Sequence, residues 1–372
     1  MDSAGASLMP APVVEKVKAY LSEEEKEGGY RLAALRASDI DDFYTQTAAF
    51  VNAEPRNIAF ACNATDAYMK ALSAFHFKPD DVVITTDDDY VSNHLHFIAL
   101  RKRYRIKVIR LRNLENGDLD TEEAEHLIKK YRPKLVAVTH IPTNSGLIQD
   151  VETIGKLCKT YQIPYLLDAC QSVGQIPVDV KKIQCDFLSA TGRKFLRGPR
   201  GTGFLYVSDN LLQKNYAPLF VDLRGAVWTA ADTYELLDSA RRFETWEVPY
   251  ALLIGLKEAL TYAHTIGITE IRAYNQKLMR QFRDNLHTLP GVSLFDSSSH
   301  TANILTLRKA GRSLEQIKAH LDKHRVYYSV SRKDNAWIDF TKKGIDWAIR
   351  LSPHYFNIPE EIDEVSEIIA SL

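Results

Sequence analysis

The chain has 372 residues, of which 45% are hydrophobic and 26% are charged. These values are ordinary for globular proteins, exclude a disordered chain, and at this length indicate about two domains. The 47 Lys and Arg against 48 Asp and Glu give a net charge of −1, which argues against a nucleic-acid-binding protein because such proteins carry a basic excess or stripe.

The first two-thirds of the chain alternates short β-rich runs with amphipathic helical stretches. Strands are predicted over 56–62, 81–86, 106–111, 134–141, 165–169, 185–190 and 203–207. Helices are predicted between them over 64–75, 91–103, 121–131 and 151–162. Short apolar strands separated by helices indicate βαβ units and a mainly parallel, buried sheet.

The pattern changes near Pro249. Helices are then predicted over 251–264, 270–289, 313–324 and 360–372, and strands over 302–307, 327–331 and 348–351. This order is typical of a smaller α+β domain. We therefore predict a large domain over 15–250 and a small domain over 251–372 that includes the N-terminal segment 1–14.

Polar residues follow four of the predicted strands, at the sheet edge where ligands bind. They are Asn63–Asp66 at a strand-to-helix junction, the turn 143–146, Asp168 at the end of an apolar strand, and the basic, glycine-rich run 191–203. Taken singly, each also has an ordinary explanation as a helix cap, a turn, an ion pair or a solvated loop. The acidic run 87–89 is interpreted as a solvated loop.

Taken together, these strand ends resemble the class V aminotransferase family of pyridoxal-phosphate (PLP) enzymes, fold type I, which includes cysteine desulfurases. The most specific segments are PYLLDACQSVGQIPVDV and CDFLSATGRKFLRGPRGTGFLYV. They place Asp, then Gln three residues later, then Ser/Thr-x-x-Lys about twenty residues on. The resemblance implies an α/β large domain with a mainly parallel seven-stranded sheet flanked by helices, and a smaller α+β C-terminal domain.

The resemblance also implies roles around the cofactor ring. Lys194 matches the Schiff-base lysine, and an amine in a partly desolvated site is a good nucleophile. Asp168 matches the partner of the pyridine nitrogen, which keeps that nitrogen protonated and the ring an electron sink. Gln171 is expected at the ring hydroxyl, and Tyr90 stands where the family places a ring that stacks on the cofactor.

Further positions follow from the same resemblance. Ala64, Thr65 and Thr191 are expected to bind the cofactor phosphate. The segment 242–249 is expected to reach the partner subunit's phosphate site, with Thr245 as its contact, because active sites of this fold type lie at a homodimer interface.

Either Thr143 or Asn144 is expected near the ring hydroxyl, and the sequence leaves the choice open. Arg350 matches the arginine that binds the substrate carboxylate, because a planar guanidinium binds a carboxylate with two hydrogen bonds. Arg193, Arg197 or Arg200 is a candidate for an anionic leaving group or a second carboxylate.

The leading functional hypothesis is a PLP-dependent C–S lyase that performs β-elimination on an S-substituted cysteine or cysteine sulfoxide. Desulfurases carry a catalytic cysteine in the C-terminal half, whereas the last cysteine here is Cys185, which disfavours a persulfide-forming desulfurase. The segment around Lys194 looks closer to the branch with the ergothioneine-pathway C–S lyase and isopenicillin N epimerase. An amino-acid epimerase or racemase, an aminotransferase and a non-catalytic PLP-fold protein remain as alternatives.

The remaining features indicate a cytoplasmic protein without a metal site. No apolar run approaches the roughly 18 residues of a membrane span, and the first twelve residues lack the pattern of a signal peptide. The four cysteines form no CxxC pair and are interpreted as free thiols. The expected partners are a small amino-acid substrate and a second copy of the chain, with no nucleic acid and no membrane.

Overall fold

The computed structural model describes residues 1–295 and 300–372. Seven strands form the large sheet: β1 (Ile58–Ala61), β2 (Val82–Thr86), β3 (Lys107–Leu111), β4 (Leu135–Thr139), β5 (Tyr165–Asp168), β6 (Phe187–Thr191) and β7 (Gly203–Val207). Their order is β1-β7-β6-β5-β4-β2-β3, and β7 alone runs against its neighbours. The predicted mainly parallel, seven-stranded sheet is confirmed.

Ten helices precede or flank this sheet: α1 (Ala11–Glu27), α2 (Gly29–Leu35), α3 (Ala37–Val51), α4 (Ala64–Ser73), α5 (Val91–Tyr104), α6 (Thr121–Tyr131), α7 (Val151–Tyr161), α8 (Val180–Ile183), α9 (Asp209–Gln213) and α10 (Tyr250–Ile266). Side-chain caps fix several of their starts. Asp120 accepts a hydrogen bond from the Glu123 amide at 2.8 Å, so α6 begins where its sequence predicts. An exposed hairpin, β8 (Ala226–Ala230) and β9 (Thr233–Leu236), lies between α9 and α10.

The C-terminal part builds a second, antiparallel sheet of order β10-β11-β13-β12. Its elements are α11 (Ile268–His287), β10 (Val292–Leu294), β11 (Leu305–Lys309), α12 (Leu314–Lys323), β12 (Ser329–Arg332), α13 (Trp337–Lys343), β13 (Trp347–Leu351) and α14 (Pro359–Ala370). Leucines and isoleucines of α11, α12 and α14 cover it and form their own hydrophobic core. By contrast, Leu253 and Leu256 of α10 pack into the core of the large sheet. The domain limits at 15, 250 and 251 stay a prediction.

Some predicted elements change their bounds for identifiable reasons. The strand predicted over 56–62 begins only at Ile58, because Pro55–Asn57 forms a 3-10 turn. The strand predicted over 302–307 begins at Leu305, since the Ala302 amide donates to the Gly146 carbonyl of the large domain instead. The helices α1, α2 and α3 and the hairpin of β8 and β9 are not predicted from the sequence. Among the described residues, no helix is both long and apolar enough to cross a membrane.

The contact between α7 and α8 yields a test of the packing. A Cβ atom at Gly155 would overlap the carbonyl oxygen of Ile183. We expect Gly155→Ala to lower the free energy of unfolding by about 2 kcal/mol, although alanine favours helix, because backbone cannot move aside cheaply. Urea denaturation would measure the change. Gly29→Ala is the control, since a Cβ there meets only the flexible Glu24 carboxylate at 3.2 Å; equal losses in both variants would contradict the packing argument.

Candidate active site

A cavity of about 500 Å³ opens at the carboxyl ends of β1, β5 and β6. Eight residues predicted for the site line it: Ala64, Thr65, Tyr90, Asp168, Thr191, Arg193, Lys194 and Arg200. A larger cavity of about 890 Å³ lies at the opposite edge of the sheet, where the strands begin, and none of the predicted site residues lines it. The parallel strands thus gather residues far apart in sequence at one sheet edge.

Asp168 ends β5 and is buried there. Its carboxylate accepts hydrogen bonds from Asn93 Nδ2 and from the Cys170 amide, both at 2.9 Å. Burial raises the pKa of Asp168, while the hydrogen bond from Asn93 and the nearby Lys194 ammonium act to lower it. A buried carboxylate without a close cationic partner is costly, so this position favours a ligand that brings positive charge.

The acidic run 87–89 after β2 is linked to Asp168 by hydrogen bonds through Asn93. Its interpretation as a solvated loop is wrong for two of its three residues. Asp88 and Asp89 are buried. Asp89 accepts hydrogen bonds from the Tyr90 amide at 2.6 Å and from Asn93 Nδ2 at 3.0 Å. Asn93 therefore bridges two carboxylates and orients Asp168. Sequence reasoning missed Asn93, which lies in the first turn of α5.

Lys194 lies on the loop after β6 and is buried. Its Nζ is 5.7 Å from the centroid of the Tyr90 ring, which lies across the cavity. The Cys170 thiol lies beside it, and burial raises the pKa of that thiol. Tyr90, Asp168 and Lys194 thus face one another, as the sequence predicts for a ring-shaped ligand.

The small domain holds the Lys194 loop through His354, which sequence reasoning also missed. His354 Nε2 is 2.8 Å from the Phe195 carbonyl, which can only accept, so Nε2 carries the proton. Nδ1 then accepts from Asn275 Nδ2 of α11 at 3.1 Å. Burial lowers the pKa of His354 to about 3, which keeps the ring neutral and this arrangement fixed.

The start of α4 lines one end of the cavity. The Asn63 side chain accepts from the Asp66 amide at 2.9 Å, so the amides of Ala64 and Thr65 are not used by this cap. Free amides at a helix start favour an anion. Thr191 lies opposite, its hydroxyl donating to the Thr202 carbonyl at 3.2 Å.

A second group of predicted residues lies beside the cavity and centres on Thr143. The hydroxyl of Thr143 accepts from Gln171 Nε2 and from Arg350 Nη1, each at 2.7 Å. Gln171 Oε1 is buried without a hydrogen-bond partner among the described residues. Asn144 turns away and donates to the Asn335 carbonyl at 3.3 Å. The structure thus separates the two alternatives, with Thr143 facing the site.

The remaining predicted residues are less central. Arg193 lines the cavity and donates to the Gly5 carbonyl. Arg197 is buried, donates to the Leu8 carbonyl at 2.8 Å and lies 4.6 Å from the Phe356 ring centroid, which removes it from the candidates for a leaving-group contact. Thr245 is exposed and does not line the cavity of its own chain, so its role in a partner subunit stays a prediction.

Comparison with known proteins decides the family. The model of the family described as Aminotransferase class-V matches residues 1–365. The chain belongs to this family. A "Probable cysteine desulfurase" of Methanothermobacter thermautotrophicus is 28% identical over 380 residues, with 100% of this chain and 94% of the relative covered.

Solved structures agree on the fold of this class V family member. The apo structure of a cysteine desulfurase from Thermococcus onnurineus NA1 is 27% identical, with a TM-score of 0.92 over 100% of this chain and 93% of that chain. The complex of the cystine C–S lyase C-DES with its product cysteine persulfide is 21% identical, with a TM-score of 0.86 over 100% and 96% of the two chains. The predicted family and fold type I architecture are confirmed, whereas the ergothioneine branch stays a prediction.

The cofactor of the family is pyridoxal 5'-phosphate, and the residues of this class V member fit it. The amine of Lys194 suits the aldehyde, and the buried carboxylate of Asp168 suits a protonated ring nitrogen. The partnerless Gln171 Oε1 leaves an acceptor for a hydroxyl. The amides at the start of α4 suit the phosphate.

Removing the Asn93 bridge tests how Asp168 is held. Asn93→Ala removes a hydrogen bond that lowers the pKa of Asp168, so the carboxylate becomes easier to protonate and less well oriented. A hydrogen bond to a charged group contributes about 1.5–3 kcal/mol, so we expect the Kd for PLP to rise about tenfold or more. Fluorescence titration of cofactor-free protein would measure it. Asn210→Ala, at the opposite edge of the sheet, is the matched control; an unchanged Kd in Asn93→Ala would refute the bridge.

The buried histidines make stability depend on pH. The pKa of His354 is lowered to about 3 and that of His140 to about 4, both mainly by burial. Below about pH 6.5 the unfolded chain binds protons that the folded protein does not, so stability falls as the pH falls, by about 1.4 kcal/mol per pH unit for each proton. We expect His354→Gln, which retains a donor for Phe195, to show a shallower fall between pH 7.5 and 5. Chemical denaturation at both pH values would measure it, and a wild-type slope would contradict the assignment.

Proposed function

We propose that this class V family member is a PLP-dependent C–S lyase that performs β-elimination on an S-substituted cysteine or cysteine sulfoxide. One observation carries the proposal: Lys194, Asp168 and Tyr90 face one cavity, while the chain has no cysteine after Cys185 to accept sulfur. The relatives named cysteine desulfurase and the neighbour named cystine C–S lyase support chemistry at a carbon–sulfur bond.

The residues would divide the work as follows. PLP, when bound, supplies an electron sink for negative charge at the substrate's α-carbon. Lys194 holds the cofactor and then, as a free amine, takes the α-proton as a general base. Asp168 would pair with the protonated ring nitrogen, and Tyr90 would contact the ring. The amides of Ala64 and Thr65 hold the phosphate.

Arg350 would orient the substrate by binding its carboxylate. Arg350 lies beside Thr143 and is not among the residues that line the cavity. With the α-proton on Lys194, the bond between the β-carbon and sulfur breaks and the sulfur leaves with the electron pair. One water molecule is consumed, and the products are pyruvate, ammonia and a thiol. A sulfoxide substrate gives a sulfenic acid in place of the thiol. Arg193 and Arg200 line the cavity and are the candidate cations for an anionic leaving group.

A persulfide-forming desulfurase is the second candidate, because the curated relatives carry that name. In this chain only Cys62 and Cys170 line the cavity among the four cysteines, while Cys158 and Cys185 are buried elsewhere. Cys62 lies at the end of β1 and Cys170 beside Lys194. A persulfide would therefore have to form on one of these two.

We also propose a homodimer. The stretch that includes the β8–β9 hairpin exposes several large apolar side chains: Leu219, Phe220, Leu223, Trp228 and Tyr234. A second copy of the chain would cover them and bring the exposed Thr245 toward the partner's phosphate site. A cytoplasmic location and a small amino-acid substrate remain part of the same proposal.

Proton NMR in heavy water tests the reaction. The PLP-loaded protein is incubated with an S-alkyl-L-cysteine sulfoxide, and we expect the substrate signals to give way to pyruvate. The Lys194→Ala variant should form none, because its general base is gone. Substrate that keeps its sulfur but loses its α-proton signal would refute the lyase proposal for this compound and favour an epimerase or aminotransferase.

The same protein, incubated with L-cysteine, separates the lyase from the desulfurase. Mass spectrometry of the intact chain should show no added sulfur atom, since a lyase releases its sulfur product to solvent. A persulfide that disappears in Cys170→Ser or Cys62→Ser would establish the desulfurase candidate instead. Each serine variant serves as the matched control for the other.

A further inference from the structure

Arg350 is held at the site in a way that leaves part of its guanidinium unused. The side chain lies on β13 and is buried. Nη1 donates to Thr143 Oγ1 at 2.7 Å and Nη2 donates to Asp2 Oδ1 at 3.2 Å. Nε is buried with no hydrogen-bond partner among the described residues. An orphaned N–H beside an occupied one marks a guanidinium edge that a planar carboxylate would complete.

The carboxylate of Asp2 is placed against Arg350 by the fold. Asp2 bridges Ser352 as a short parallel strand, with the Ser3 amide donating to the Ser352 carbonyl at 3.1 Å. Ser329 lies directly opposite Arg350 on β12. Its hydroxyl lies 2.8 Å from both carboxylate oxygens of Asp2. The contact is therefore built from two strands of the small domain and the N-terminal segment.

Arg350 has one close carboxylate, Asp2, and a second arginine, Arg193, near it. Asp2 forms the ion pair with Arg350, and its side chain remains 26% exposed. Arg193 is near enough to oppose the charge of Arg350 and to lower its pKa, after the larger effect of burial. A second carboxylate arriving at this guanidinium meets the negative charge of Asp2 at close range, where two like charges repel strongly.

We propose that Asp2 occupies Arg350 in the resting protein and competes with the substrate carboxylate for it, so that Asp2 sets the affinity of the carboxylate site. The inference rests on the role of Arg350 in the proposed function. A substrate carboxylate takes the free Nε and makes Asp2 share or release Nη2. Asp2 thus selects for ligands whose carboxylate binds well enough to overcome this competition.

Equilibrium binding to the PLP-loaded protein tests this inference without relying on turnover. Absorbance titrations with glycine, which has a carboxylate and no leaving group, are compared with titrations with methylamine, which has no carboxylate. Asp2→Asn removes the charge and keeps an oxygen that accepts from Ser329 and Arg350. We expect its Kd for glycine to fall about five- to tenfold, with the Kd for methylamine unchanged.

Two further variants make the outcomes separable. Ser329→Ala loosens Asp2 without removing a charge and should lower the glycine Kd in the same direction by less. Arg350→Lys, which loses the forked donor, should raise it. If Asp2→Asn and Ser329→Ala leave the glycine Kd unchanged or raise it while Arg350→Lys also raises it, the competition is refuted and the anchoring role of Arg350 stands. If Arg350→Lys has no effect, both are overturned.

Discussion

The burial of one carboxylate, Asp168, is the constraint on which the site depends. It ends β5 in the middle of the large sheet, where leaving a charge unpaired costs several kcal/mol. Asn93 and the Cys170 amide donate hydrogen bonds to it, and the cavity would let the cationic ring nitrogen of the family's cofactor complete the pairing. The buried Asp89 accepts a hydrogen bond from Asn93 and so orients this donor. Burial that makes an unpaired carboxylate costly would also strengthen its pairing with that nitrogen.

The site is assembled from three separate parts of the chain, and this explains how substrate and cofactor recognition are divided. The large sheet places the residues expected at the cofactor ring and phosphate at its carboxyl edge. The small domain supplies Arg350 and, through His354, fixes the backbone next to Lys194. The N-terminal segment closes over both, with Asp2 on Arg350 and Gly5 on Arg193. Any movement of the small domain would therefore displace both Arg350 and the backbone next to Lys194.

The fate of the sulfur atom is the point on which the proposed lyase and the desulfurase candidate differ. Membership in the class V aminotransferase family and the likeness to cysteine desulfurases are clear. Yet the C-terminal half carries no thiol. The segment Lys333–Asn335 forms a turn that accepts a hydrogen bond from Asn144. The proposed lyase releases its sulfur to solvent, whereas the desulfurase candidate needs Cys62 or Cys170, which line the cavity, as the sulfur acceptor.

The sequence by itself determined the large sheet, because apolar runs of four to eight residues are local signals, and its Asp-x-x-Gln and Ser/Thr-x-x-Lys spacings indicated the family. It could not choose between Thr143 and Asn144, which are neighbours in one turn, and it misjudged Asp88 and Asp89 because an acidic run resembles a solvated loop until its burial is known. Asn93, His354 and Asp2 became visible only in three dimensions. The hydrogen bonds of Asn93 with Asp168, His354 with Phe195 and Asp2 with Arg350 join residues 75, 159 and 348 positions apart along the chain, and no local pattern records a contact that only tertiary packing brings together.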